Sequence, residues 1–151
     1  MLAILRTSDW EVPLFLHVAG AMVLVGALFA VAVALVAAWR AEDADAAALT
    51  RFSYRTLFLA ALPAFIAMRI GAQWVLSESP YEAVDLGWVG VGYLVSDLGG
   101  VALIASLVLA GIGLRRAGPR SQTLARAVTV LTLVLLAAYL IAVWAMTTKP
   151  D

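Results

Sequence analysis

Four long stretches of this chain carry almost no charge, and that feature constrains the fold more than any other. They cover residues 12–39, 56–76, 86–114 and 127–148. Crossing ~30 Å of hydrocarbon takes about 20 helical residues, so each stretch is long enough to span a bilayer. In lipid only helices and closed barrels satisfy every backbone N–H and C=O, and these runs are too continuous for barrel strands. The chain is therefore expected to be all-α: an antiparallel four-helix transmembrane bundle forming one integral membrane domain over residues 1–151. Composition agrees, because a soluble domain could not cover a surface that is 64% hydrophobic with 13% charged residues. The lipid bilayer is then the first partner.

The connections set the orientation. Residues 115–126 hold Arg115, Arg116, Arg120 and Arg126 with no acid, and residues 40–55 hold Arg40, Arg51 and Arg55 among acids. Residues 77–85 hold Glu78, Glu82 and Asp85 with no base. Basic residues concentrate on the cytoplasmic side, which puts the first and third connections inside and both termini outside the cell (plasma) membrane. Trp10, Trp74, Trp88 and Trp144 then fall at the outer interface and Trp39 at the inner one. The start of the chain has one arginine followed by acids, so the first stretch reads as a retained span rather than a cleaved signal. Residues 41–55 read as a connection.

Other classes are excluded directly. There is no cysteine, which removes disulfides, thiolate metal sites and cysteine nucleophiles. A net charge of zero gives no argument for nucleic acid. Gly87, Gly90 and Gly92 lack a preceding strand and do not make a nucleotide loop. Gly26, Ala30, Ala34 and Ala38 recur every four residues, a small-residue stripe read as packing inside the bundle or as a homo-oligomer seam.

Of ten basic and ten acidic side chains, only Arg69 and Asp97 fall within the spans. A charge at the centre of a bilayer costs at least ~2.5–3.5 kcal/mol, so it normally faces a partner or a wet cavity. Arg69 lies about 7–8 Å below Trp74, and Asp97 about 13–14 Å past Trp88, close enough in depth to meet across helices. Gln73 and Tyr93 sit one turn above them. The pair reads as a register-fixing ion pair, as a chemical site, or as an Arg69 that snorkels to the headgroups without pairing. In the second reading Arg69 clamps an anion or a propionate and Asp97 accepts a proton.

His17 is the sole histidine. A lone histidine near a helix end is an interfacial hydrogen-bonder in one reading and a haem-iron ligand in the other, because one histidine can hold haem as proximal ligand. Gly20, Ala21 and Leu24 continue its face and look small enough near the histidine to admit a flat cofactor. Met22, Met68 and Met146 are core filler or soft second ligands.

The segment LFLHVAGAMVLVGALF around His17 and the ending VWAMTTKP resemble a broad group of small bacterial membrane proteins. That group includes integral membrane proteins of unknown function, the copper-resistance D-type domain and the HemJ-type membrane protoporphyrinogen oxidase. The likeness rests on His17, Gly20, Gly26, Lys149 and Pro150 and on the helix count. It implies a haem- or metal-associated ancestry, with Lys149 joining His17, Arg69, Gln73 and Tyr93 as cofactor-binding residues. Three functions follow as expectations: a b-type haem or tetrapyrrole binder through His17, a transport or copper-handling component using the Arg69–Asp97 cleft, and a structural subunit without chemistry.

Overall fold

A computed structural model describes residues 11–77, 87–115 and 119–148, with the side chains of 87–89, 119, 120 and 146 left out. The described residues are helical apart from short turns, and no strand occurs among them. The elements are α1 (Glu11–Ala38), α2 (Asp43–Thr56), a π-helical turn (Leu57–Ala61), α3 (Leu62–Ser77), α4 (Gly87–Leu114) and α5 (Pro119–Thr148). Four helical segments are long and apolar enough to cross a membrane: Glu11–Ala38, Asp43–Ser77, Gly90–Leu114 and Ser121–Ala145.

The second of these runs for 35 residues, so the connection expected over residues 41–55 is itself helical from Asp43 and continuous with the span. Charges at 42, 43, 45, 51 and 55 obscured a strong local helix signal. Ala44, Ala46, Ala47 and Ala48 favour helix, Asp43 and Asp45 sit in the first turn, and Arg55 sits in the last, each placed favourably against the helix dipole. The helix then runs on through a π turn in which the Leu62 amide donates to the Leu57 carbonyl. Pro63 lacks an N–H and crowds the carbonyl four residues back, so a local π widening just before it is physically apt.

The core lies along α1, the second span and α5. Leu24, Leu28, Val31 and Leu35 form one stripe on α1, facing Leu57, Ala61, Ala64 and Met68 on the second span. Leu103 and Ala110 of α4 and Val128, Leu135 and Tyr139 of α5 complete the cluster. Helix α1 packs most extensively on α3, and α4 on α5; the two pairs meet where α1 touches α5. Contact between α3 and α4 is sparse, although at the other end of the span α2 also touches α4.

The tight seams depend on small residues. A Cβ on Gly20 would lie 2.6 Å from the Met68 amide nitrogen, and one on Gly71 would lie 2.5 Å from the His17 nitrogen. The backbones of α1 and α3 are therefore nearly in contact. On α4 the buried face is Ser96, Gly99, Gly100, Leu103, Ser106, Ala110 and Gly113, mostly small residues at helical spacing. The Gly26–Ala38 stripe is not such a seam. Gly26 opens onto empty space, whereas Ala34 is buried. Steps of four residues advance about 40° beyond a full turn, so three of them rotate the stripe by about 120° around α1.

Candidate functional site

The intramembrane charges meet at the sparse α3–α4 seam. Arg69 on α3 donates from Nη2 to Asp97 Oδ1 on α4 at 2.5 Å. One turn along each helix, the Tyr93 hydroxyl faces Gln73 Oε1 in a long 3.4 Å hydrogen bond. The Arg69 guanidinium also lies over the Tyr93 ring, 5.2 Å from its centroid, a cation–π arrangement. Four polar side chains thus make one ladder between two helices that otherwise touch little. The ladder is open: Arg69 retains 28% of its side-chain exposure and Asp97 62%.

Two hydroxyls that sequence reasoning did not single out lie along the neighbouring stretch of α4: Ser96 precedes Asp97, and Tyr139 of α5 reaches Gly99. Ser96 and Tyr139 are buried, at 7% and 5% exposure, and among the described residues neither hydroxyl has a hydrogen-bond partner. Ser96 departs from the habit of its neighbours. Ser53, Ser106, Thr129 and Thr132 each return their hydroxyl to the carbonyl four residues back, at 2.8–2.9 Å. Tyr139 reaches α4 where a Cβ on Gly99 would meet its hydroxyl at 2.5 Å, so Gly99 is the notch that receives it. Phe65 fills the next notch, at Gly100. The available signals were Tyr139 as the sole polar side chain between residues 133 and 143, and the Gly99–Gly100 pair beside Asp97.

His17 adjoins this level from α1. Its Nδ1 lies 3.0 Å from the Met68 carbonyl, one residue before Arg69. A carbonyl only accepts, so this bond requires the proton on Nδ1 and leaves Nε2 as the remaining ring nitrogen. The space expected beside His17 is absent on the face of Gly20, Ala21 and Leu24. Gly20 is pressed against the Ala64–Met68 backbone, and Leu24 is fully buried. A flat cofactor on that face would have to separate α1 from α3.

The other ligand candidates diverge. Met22 is 70% exposed on the outside of the bundle and Met68 is buried in the core, so the two do not share a centre. The Met146 side chain and Lys149 lie outside the described residues. Among the described residues no cluster of three or more His, Asp or Glu side chains could hold a metal ion. Comparison with known protein families, with curated proteins and with solved structures finds no match.

Proposed function

We propose that this chain is an antiparallel four-helix protein of the plasma membrane, both termini outside, that handles a small charged solute or a proton at the Arg69–Asp97 site. The bilayer is its partner, and the activity is that of a transport component rather than a purely structural subunit. One observation carries this reading: the ion pair within the spans sits where helix packing is sparse and stays partly open, at 28% and 62% exposure. A pair that served only to lock helix register would be better placed inside a tight seam, where desolvation and packing would hold it closed. An intramembrane ionisable residue is by default a functional-site hypothesis.

The test is flux. Purified protein in liposomes loaded with a pH-sensitive dye is expected to speed proton or ion equilibration by ~10-fold or more over empty liposomes, an effect of transition-barrier size. The double variant Arg69→Leu/Asp97→Leu, which leaves no unpaired charge, should return the rate to that of empty liposomes. Wild-type liposomes no faster than empty ones would refute the reading.

A second reading is b-type haem held through His17, and one observation favours it. An imidazole whose Nδ1–H is held by a backbone carbonyl has its tautomer and ring orientation fixed for metal binding through Nε2. When bound, haem would supply redox chemistry, with Arg69 as a donor to a propionate. The closed Gly20 face means the macrocycle would lie on another side of the ring. Haem-replete expression should give a Soret band that His17→Ala removes, and a colourless protein would refute this reading.

A further inference from the structure

Resting on the transport reading above, we propose that the solute is a small monovalent oxyanion, such as a carboxylate. It binds to Arg69 together with one proton that neutralises Asp97, and its oxygens accept from the Ser96 and Tyr139 hydroxyls.

The donor inventory identifies the ligand class. Among the described residues Arg69 has five guanidinium N–H groups and one hydrogen-bond acceptor, Asp97. The buried hydroxyls of Ser96 and Tyr139 add two donors without acceptors. Burying an unmade hydrogen bond is unfavourable, so a resident of this site must supply acceptors. A cation would meet the guanidinium already stacked on Tyr93 and be repelled. An oxyanion offers several lone pairs and matches the planar donor fork of arginine.

Charge balance then dictates the proton. An oxyanion can take Arg69 only by breaking its bond to Asp97, which strands that carboxylate within the span. Arg69 of α3 is the ionisable group bonded to Asp97; Tyr93 lies one turn before it on its own helix, and Tyr139 of α5 meets Gly99, two residues beyond it. From α1, His17 is bonded to the Met68 carbonyl rather than to Asp97. Arg69 is thus the cation that pairs with Asp97 among the described residues, and once it turns to the ligand a proton from the medium is what keeps Asp97 neutral. The proton adds to an Asp97 carboxylate oxygen, the Arg69–Asp97 ion pair opens, and the anion takes its place. One positive and one negative charge enter, and the site remains neutral throughout.

The experiment uses the full chain in lipid nanodiscs, perfused with sodium lactate, sodium acetate or sodium nitrate in weak buffer. Binding of at least one of these anions should take up ~1 proton per site by linkage. The infrared difference spectrum should gain the carbonyl band of a protonated carboxylic acid. Asp97→Asn, which mimics the neutral acid, should bind the anion with no proton uptake and no such band. Ser96→Ala and Tyr139→Phe should each weaken binding by roughly 2- to 10-fold, the value of one hydrogen bond. Arg69→Gln should abolish it. Anion binding that needs Arg69 but takes up no proton would overturn the coupling and leave the site reading intact. Binding of glycine or choline in place of the anions would overturn the ligand class and again spare the site. Loss of both binding and liposome flux would remove the inference together with the reading beneath it.

Discussion

Substituting Gly20 or Gly71 by alanine gives the sharpest check on the packing that positions the site. A Cβ at Gly20 would lie 2.6–2.9 Å from backbone atoms of Ala64 and Met68, and one at Gly71 would lie 2.5–2.9 Å from backbone atoms of Pro13 and His17. Ordinary contact begins near 3.4 Å, and backbone cannot swing aside as a side-chain tip can. Helices α1 and α3 must then part by about 0.5–1 Å along that turn, a gap that forfeits a quarter to a half of the local dispersion energy. Each substitution should cost about 1–3 kcal/mol, the usual range for overpacking. The same parting would stretch the His17–Met68 hydrogen bond from 3.0 Å to about 3.5–4 Å, past the working limit. Because either alanine opens the one seam, the double variant should lose less than the two singles together. Gly26→Ala is the control. Its Cβ meets nothing within 4 Å, so the helix-propensity gain of about 0.5–1 kcal/mol should leave it neutral or slightly stabilised. Reversible unfolding in mixed micelles measures all four. If Gly20→Ala and Gly71→Ala cost no more than Gly26→Ala, the helices are not in backbone contact and the placement of His17 against Met68 is wrong.

The ion pair and the orientation supply the remaining predictions. Arg69→Leu and Asp97→Leu should each lower stability by about 1–3 kcal/mol, less than for a fully buried pair because both groups are partly open, while the double replacement should lose less than either. Additive losses in the same unfolding assay would mean that the two side chains do not interact. Cysteines placed singly at Ser79 and Ser121 of this cysteine-free chain should react with an impermeant maleimide on intact cells at 79 and not at 121. The reverse pattern would put the polar site in the cytoplasmic half.

What could be read from the sequence was whatever lipid dictates residue by residue. Four apolar runs must be helices because no other structure satisfies their backbone in hydrocarbon, so the number of spans needed no knowledge of neighbours. Arg69 and Asp97 stood out for the same reason, as charges where charge is costly. Helix α2 was hidden because hydropathy separates membrane from water, not helix from loop, and Asp43–Thr56 is a polar helix. The Gly20–Gly71 seam was hidden because a glycine reveals close approach only when the facing backbone is known. The Gly26 stripe illustrates this, with small residues at regular spacing that wind from open space into the core. Ser96 was hidden in a different way. By sequence it is a helical serine like Ser53 and Ser106, and only the rotamer, turned away from its own backbone, separates it from them.

Placing polar chemistry at α3–α4 follows from how helices associate in lipid. Apolar faces gain little by leaving lipid for one another, so association rests on close packing and on polar links. The α1–α3 seam has its glycines and the α4–α5 seam its face of serine, glycine and alanine, and both close without charge. Where α3 faces α4 the polar ladder supplies much of the attachment, through Arg69–Asp97 and Gln73–Tyr93. Hydrogen bonds and an ion pair can be exchanged for contacts to a ligand of matching charge, whereas a glycine seam has nothing to exchange. On the transport reading proposed above, this sparse seam is the one suited to opening. Opening it would turn α4–α5 against α1–α3 about the α1–α5 and α2–α4 contacts, leaving both tight seams closed.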